Sequence, residues 1–144
     1  MTAVEHELGI GEVARQTGLS VHALRFYERE GLLVSQNVAR GPGGHRRYSP
    51  QDVHWLRICI KLRASGMPLA KIRRMADLVR EGPGNEQERL ELLREQQRHV
   101  EHQLAELAEC LRVITRKVGV YEQQLASGAD EDLLTVVKQP QRFA

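Results

Sequence analysis

The sequence predicts a mainly α-helical fold, in which an N-terminal domain of short helices with a small β-wing precedes one long coiled-coil helix. Three observations predict this fold. They are a long heptad pattern of apolar residues in the second half, capping and Gly/Pro signals that divide the first half into short segments, and a glycine- and arginine-rich stretch between two of those segments. We place the helical domain at residues 8–81, the coiled coil at 85–127 and a short tail at 128–144.

Two short helices open the domain. The first is predicted from Ile10 to Thr17, a tight turn follows at Gly18-Leu19-Ser20, and the second helix runs from Val21 to Glu30 with Ser20 as its N-cap. A helix-turn-helix motif places the start of its second helix in the DNA major groove. Short helix pairs around a glycine are common, so this pattern alone is equally consistent with an ordinary charged surface. The side chains in position to reach base edges are Ser20, His22 and Arg25.

A glycine-rich hairpin follows and is predicted to form a two-stranded wing. Leu32-Leu33-Val34 forms one strand, Arg40 to Gly44 the turn, and His45 to Tyr48 the returning strand. Glycine lets a backbone approach phosphate closely, and arginine and tyrosine donate hydrogen bonds to its oxygens. The wing is therefore a candidate phosphate clamp, and the alternative of a mobile surface hairpin with incidental charge stays open.

Two more helices complete the domain. The third is predicted at residues 50–65, because Ser49-Pro50-Gln51-Asp52 supplies a capping serine, a proline at the first position and an acid at the third. The fourth has Pro68 at its first position and ends at the break Glu81-Gly-Pro-Gly-Asn85. Its apolar stripe is predicted at Leu69, Ile72, Met75, Ala76 and Val79.

The second half carries an apolar repeat whose spacings alternate between three and four residues from Leu90 to Leu125, as in a coiled coil. Asn85 is predicted to cap this helix and Ser127-Gly128 to end it. A helix of this length reaches about 60 Å, too far for an ~80-residue domain to cover its stripe. The stripe therefore needs another helix, most simply from a second copy, with folding back on the tail as the alternative. The predicted homodimer interface comprises Leu93, Val100, Leu104, Leu107, Leu111, Ile114 and Val118.

Charge and composition limit the function classes. Residues 1–80 carry 13 Lys+Arg and 7 Asp+Glu, whereas residues 81–144 carry 8 and 12, and a basic first half favours a polyanionic partner. Two cysteines exclude a disulfide framework, and no apolar run approaches the roughly 18 residues of a membrane span. The polar start of the chain resembles no secretory leader, so a cytoplasmic location at the nucleoid is expected, with no membrane partner. Neither a catalytic constellation nor a metal cluster is visible, so no enzyme activity, metal or cofactor is expected.

Several segments occur in a fixed order that is typical of one regulator family. They are Ile10-Gly-Glu-Val-Ala14, Leu24-Arg-Phe-Tyr-Glu28, Gly31-Leu-Leu33, Gly44-His-Arg-Arg-Tyr48 and Asp52-Val53. The chain resembles the MerR family of transcription regulators in these segments, and the match continues through Leu62-Arg-Ala-Ser-Gly-Met67 into the long helix, over about 115 residues.

The resemblance implies a winged helix-turn-helix homodimer joined by an antiparallel coiled coil. It also implies binding to a palindromic operator between promoter elements that lie too far apart, with untwisting and kinking of this double-stranded DNA so that RNA polymerase can engage. Base contact is implied for Arg25, and phosphate contact for Tyr27, Arg40, Arg46 and Tyr48, although either Phe26 or Tyr27 is expected to pack in the core. The complete set of expected DNA-binding residues is Arg15, Ser20, His22, Arg25, Tyr27, Arg40, His45, Arg46, Arg47 and Tyr48.

The effector is less well defined by the sequence. The chain lacks the cysteines that metal-sensing members carry around the long helix, and His99 and His102 are expected to be solvated on its outer face. The spacer from Asp52 to Gly66 is similar to the aldehyde- and nitrosative-stress branch, which suggests a stress signal. Cys59 is a candidate thiol sensor, if nearby basic residues lower its pKa, and the alternative is an inert packing residue. For Cys110, packing or incidental exposure is favoured over sensing.

A second function class stays open from the sequence alone. A coiled-coil scaffold whose basic front end binds protein or RNA would share the charge asymmetry and the heptads. It would need neither Arg25 nor the wing, so alanine substitutions at Arg25 and Arg46 discriminate the two classes.

Overall fold

The computed structural model describes residues 7–35 and 47–128 and is mainly α-helical, as the sequence predicts. The chain divides into two compact units, residues 1–97 and residues 98–144. The helices of the described residues are α1 (Ile10–Thr17), α2 (Val21–Arg29), α3 (Pro50–Ala64), α4 (Leu69–Glu81) and α5 (Glu86–Ser127).

The turn between α1 and α2 is built from the residues that the sequence singles out. Gly18 adopts a φ of +77°, a left-handed conformation that side chains with a Cβ rarely adopt, and its N–H donates to the Ala14 carbonyl at 2.9 Å. The Ser20 hydroxyl then accepts a hydrogen bond from the Ala23 N–H at 3.0 Å. The predicted helix-turn-helix with its Ser20 cap is therefore confirmed.

The start of α3 carries the predicted capping box. The Ser49 hydroxyl accepts from the Asp52 N–H at 3.1 Å, while the Asp52 carboxylate accepts from the Ser49 N–H at 3.0 Å, and Pro50 occupies the first helical position. This reciprocal pair defines the first residue of the helix.

Leu32–Val34 is not part of a strand among the described residues, and the turn and most of the predicted partner strand lie outside them, so the two-stranded wing stays a prediction. Side chains of α3 and α4 bind carbonyl groups of residues 31–33. The Trp55 indole donates to the Leu32 carbonyl at 2.6 Å, and the Arg80 guanidinium donates to the carbonyls of Gly31, at 2.9 Å, and of Leu33. Tyr48, assigned to the returning strand, forms an isolated antiparallel bridge with Leu8. Residues 36–46, the rest of the predicted wing, lie outside the described residues.

Helix α4 differs slightly from its prediction. Pro68 is the residue before the helix, not its first residue, and Leu78 is fully buried whereas the predicted Val79 is half-buried. The buried residues of the N-terminal unit form one core between the helices. Its fully buried members include Val13, Leu24, Leu32, Tyr48, Leu56, Cys59, Ile72 and Ala76.

The first turns of α5 pack on the N-terminal unit. Asn85 was expected to cap α5, but its side-chain oxygen accepts from Arg89 Nε at 2.6 Å and its amide donates to the Leu78 carbonyl at 2.9 Å. Arg89 also donates to the carbonyls of Leu78, at 3.1 Å, and Gly82, at 2.8 Å. Gln96 is buried and donates to both the Ser65 carbonyl, at 3.1 Å, and the Ser65 hydroxyl, at 2.9 Å.

The far end of α5 is as predicted. The helix ends at Ser127, and Gly128 follows with a φ of +70° and donates its N–H to the Gln124 carbonyl at 2.9 Å. The predicted tail from residue 129 lies outside the described residues.

Candidate DNA-binding surface and dimer face

One side of α2 is basic and exposed. His22, Arg25 and Arg29 follow each other at spacings of three and four residues, which places them on one helical face, and all three are exposed. Leu24 and Tyr27 lie on the opposite face and are buried at 0% and 2% exposure. Neither Arg25 nor Arg29 forms a hydrogen bond or an ion pair within the part of the chain that the structure describes. Their guanidinium groups are therefore available to a ligand.

The two residues predicted at the edges of this face have local partners. Ser20 is exposed, and its hydroxyl oxygen caps α2 while its proton stays available to donate. The Arg15 side chain is 75% exposed and forms an ion pair with Glu12 one turn earlier in α1. The Arg15 guanidinium lowers the pKa of the Glu12 carboxyl by hydrogen bonding, as does Gln16. Exposed pairs of this kind exchange readily for another anion.

The residues predicted for the wing divide into three groups. Arg40, His45 and Arg46 lie outside the described residues. Arg47 is half-buried, with its guanidinium against the backbone at Gly9, since a Cβ at Gly9 would lie 3.6 Å from Arg47 Nη1. Tyr48 is fully buried and Tyr27 nearly so, so their rings belong to the core. For these two tyrosines a phosphate contact stays a prediction that needs the hydroxyl to reach the surface.

Several basic residues that the sequence does not distinguish from the DNA-binding candidates have structural roles. Arg57 donates to the Gln16 carbonyl at 3.1 Å, and Arg73 donates to the Glu30 carbonyl and carboxylate at 2.8 and 2.6 Å. Each connects a later helix to α1 or α2. Part of the positive charge of the N-terminal half therefore holds the domain together.

Arg63 is a residue that the sequence reasoning missed. Its guanidinium lies 5.6 Å from the ring centroid of Phe26 and 5.8 Å from that of Tyr27, and the two rings meet edge to face. Of these two aromatics, Tyr27 is the buried one and Phe26 is half-buried. Arg63 thus supports α2 from behind its basic face. Its spacing of more than 30 residues from α2 left no local signal.

Cys59 does not have the environment of a reactive thiol. It is fully buried, and burial raises its pKa to about 12, an effect that outweighs the opposing positive charge of Arg63. The expectation that basic neighbours lower this pKa is wrong, because the sulfur lies in the core while the charged groups reach outward. Cys110 is exposed on α5.

The described residues show neither a metal site nor a membrane-spanning helix. Over residues 7–35 and 47–128, no three His, Cys, Asp or Glu side chains are grouped to hold a metal ion. His102 is exposed and pairs with Glu106 at 3.1 Å. No helix of the described chain has the length and apolar character of a membrane span.

Helix α5 presents the predicted seam as an exposed apolar stripe. Two shallow cavities lie along it: one of about 470 Å³ beside Leu104 and Leu107, and one of about 400 Å³ beside Ile114 and Val118. Within the single chain Val100 is half-buried, and the other predicted interface residues are 44% to 64% exposed: Leu93, Leu104, Leu107, Leu111, Ile114 and Val118.

Comparison with known proteins accounts for a basic helix-turn-helix domain followed by a long helix with an apolar stripe. The model of the MerR HTH family regulatory proteins matches residues 8–78, and a second model described as MerR, DNA binding, matches residues 53–116. A Haemophilus influenzae protein named as an uncharacterized HTH-type transcriptional regulator is 36% identical over 118 residues, covering 82% of this chain and 86% of that protein. The chain belongs to the MerR family. It is a transcriptional regulator of that family.

Solved structures of MerR family members have the same arrangement. The chain is similar to HiNmlR, described as a MerR family regulator lacking the sensor domain and bound to promoter DNA, with 35% identity, a TM-score of 0.72, and coverage of 86% of this chain and 97% of that one. It is also similar to a MerR family transcriptional regulator from Listeria monocytogenes, with 26% identity, a TM-score of 0.76, and coverage of 84% and 90%. These two structures therefore share the fold of this chain.

Proposed function

We propose that this MerR regulator binds a palindromic promoter operator as a homodimer and distorts the DNA to control transcription by RNA polymerase in the cytoplasm. The observation that carries the proposal is the exposed face of α2, where Arg25 and Arg29 have no partner among the described residues. An arginine held on a rigid helix with its guanidinium uncommitted is suited to bidentate contact with guanine. The promoter DNA bound to the similar HiNmlR supports the same ligand class.

In this proposal, one set of residues contacts the base edges and another set contacts the phosphates. Arg25 and His22 face base edges from the first half of α2, with Ser20 at its N-terminus. Arg15 and Arg47 contact phosphates, and Arg15 exchanges Glu12 for a phosphate oxygen. The wing residues Arg40, His45 and Arg46 extend the phosphate contacts.

The dimer follows from the apolar stripe of α5. A stripe of exposed leucines along a helix of 42 residues is not stable in water, and a second copy of the same stripe covers it without a further partner. A two-fold dimer presents two α2 helices to two half-sites, so the operator is palindromic. We propose the antiparallel arrangement, which places the two DNA-binding domains at opposite ends of the coiled coil.

A test compares Arg25→Ala and Arg46→Ala by fluorescence anisotropy, on DNA that flanks the protein's own coding region and on random DNA. Arg25→Ala is expected to cost about 1 to 3 kcal/mol on the operator and little on random DNA, because a base contact is lost. Arg46→Ala is expected to weaken both about equally and to reduce the salt dependence. Arg112→Ala on α5 is the matched control and leaves binding unchanged.

If Arg25→Ala keeps the preference for operator over random DNA, α2 is not the recognition helix. If neither substitution weakens DNA binding, the result favours the alternative function, a coiled-coil scaffold whose basic front end binds protein or RNA. A stress signal as the trigger stays a prediction, and the burial of Cys59 argues against that thiol as its receptor.

A further inference from the structure

The C-terminal end of α2 is held by a guanidinium group from another helix. Arg29 is the last helical residue, and Glu30 follows as the C-cap with its N–H bound to the Phe26 carbonyl at 2.9 Å. Arg73 of α4 donates from Nε to the Glu30 carbonyl at 2.8 Å and from Nη2 to the Glu30 carboxylate at 2.6 Å. One guanidinium group therefore binds both the backbone and the side chain of the residue that ends α2.

A second arginine of α4 holds the residues that follow. Arg80 lies seven residues after Arg73, about two helical turns, and therefore on the same side of α4. It donates to the carbonyls of Gly31, at 2.9 Å, and of Leu33. Gly31 has a φ of +67°, a left-handed conformation that turns the chain away from the helix. Helix α4 thus fixes the path of the chain from Glu30 to Leu33.

These contacts bear on the exposed basic face because α2 is short. The helix has nine residues and moves as a rigid body between two fixed ends. The turn at Gly18 and the cap at Ser20 fix its start, and Arg73 fixes its end. Arg25 lies between them, little more than one turn from Glu30. A displacement of the C-terminal end therefore changes the direction in which the Arg25 side chain leaves the domain, and specific contacts tolerate only small changes of this kind.

The charge of Arg73 suits its place. The carbonyl end of a helix carries a partial negative charge, and Glu28 and Glu30 add carboxylates to the last turn of α2. The Arg73 and Glu30 side chains are 40% and 38% exposed, so solvent screens their ion pair and its contribution to stability is small. Removing Arg73 is therefore expected to release the end of α2 without unfolding the domain.

We propose that Arg73 is a positioning residue for operator recognition, which fixes the C-terminal end of α2 and thereby the direction from which Arg25 meets the base edges. The inference rests on the proposed function, because it matters only if α2 is the recognition helix. The Arg73 guanidinium itself is engaged by Glu30 and acts through α2, not by touching a base.

The test compares Arg73→Ala with Arg74→Ala in the full-length protein. The two arginines are neighbours on α4 with side chains 40% and 46% exposed, so each substitution removes one positive charge from a comparable position. Arg74 donates to Glu88 of α5 at 2.6 Å, and its loss leaves the contacts between Arg73 and Glu30 in place. Arg74→Ala is therefore the matched control.

Fluorescence anisotropy measures the affinity of each variant for the operator and for random DNA of the same length, and the ratio of the two affinities is the preference. We expect Arg73→Ala to lower the preference roughly three- to tenfold, a part of the effect of losing a base contact, and Arg74→Ala to leave it unchanged. A substitution that only reduces the fraction of folded protein weakens binding to both DNAs by the same factor. The ratio therefore separates positioning from folding, and thermal melting by circular dichroism checks the fold.

Arg73→Lys keeps the test decisive if the alanine variant does not fold. Lysine retains the charge, but its single ammonium group cannot reproduce the fork of a guanidinium on two acceptors. We expect this variant to melt like the wild type and to show an intermediate preference. A lysine variant with the full wild-type preference would contradict the requirement for the two-point contact.

A double-mutant cycle tests whether the effect passes through the basic face. In a background with Arg25→Ala and Arg29→Ala, Arg73→Ala is expected to cause no further loss of preference. The same three- to tenfold loss in that background would overturn the inference, because Arg73 would then act independently of these arginines.

The outcomes also separate this inference from the proposed function. If Arg25→Ala removes the preference but Arg73→Ala leaves it at the wild-type value, the positioning role alone is wrong. If the wild-type protein has no preference for the operator, or Arg25→Ala keeps it, the proposed function fails and this inference fails with it.

Discussion

The dimer face offers the sharpest test of the architecture. We consider the double variant Leu104→Lys and Leu111→Lys, whose two positions lie one heptad apart on the stripe of α5. The two leucines are 61% and 62% exposed in the single chain. Burying a whole leucine contributes about 2 kcal/mol, so covering the exposed part contributes about 1.2 kcal/mol for each side chain.

The dimer contains four of these side chains, which together contribute about 5 kcal/mol. At about 1.4 kcal/mol for each tenfold change, losing them weakens association more than a thousandfold. Four lysine ammonium groups in an apolar interface add an unfavourable desolvation cost. The variant is therefore expected to sediment as a monomer at micromolar concentration and to lose operator binding.

Analytical ultracentrifugation measures this directly. The matched control is His102→Lys with Ala105→Lys, which adds two positive charges at exposed positions on the outer face of the same helix. It is expected to remain dimeric. A Leu104→Lys and Leu111→Lys protein that still sediments as a dimer would refute the coiled-coil assignment.

Three further predictions concern the core. Cys59 is expected to stay unlabelled by a maleimide at pH 7.5 until the protein unfolds, and a labelled Cys59 peptide found by mass spectrometry in the native protein would contradict this. Because burial raises the Cys59 pKa in the folded state to about 12 from an ordinary value of 9.0, its contribution to stability is complete below about pH 9 and is lost as the pH rises towards 12. Cys59→Ser, which has no thiol to ionise, is expected to lose less stability over that range in urea titrations. Trp55→Phe leaves the Leu32 carbonyl without its indole donor and is expected to cost about 1 to 2 kcal/mol in the free energy of unfolding, so an unchanged urea midpoint would contradict the assigned contact.

Local signals in the sequence were sufficient for the helices. The caps at Ser20 and Ser49 and the stop at Gly128 depend on hydrogen bonds within four residues, so sequence spacing alone located them. The exposed face of α2 followed from helical periodicity in the same way.

Features that depend on distant partners were not predictable. The carbonyls of Leu32 and Leu33 accept hydrogen bonds from Trp55 and Arg80, 23 or more residues later, which no local pattern in the sequence indicates. The pKa of Cys59 depends on how deeply the thiol lies in the core, which nearby charges in the sequence cannot reveal. Arg57 and Arg73 likewise bind carbonyls of residues more than 40 positions away, so the sequence alone does not distinguish them from exposed charged residues.

The contacts around the start of α5 change the meaning of the glycine-proline-glycine break before it. A stretch of this composition usually acts as a loose tether. Here Asn85 and Arg89, which follow it, donate to the Leu78 carbonyl before it, Arg89 also donates to the Gly82 carbonyl within it, and Gln96 binds Ser65. A rotation of the first turns of α5 is therefore transmitted to α4 and to Ser65, the residue after α3, because the break does not act as a flexible linker. One inserted residue at this point would turn the later side chains by about 100° and separate Arg89 and Gln96 from their partners at once. The length of this break is thus under tighter constraint than its composition.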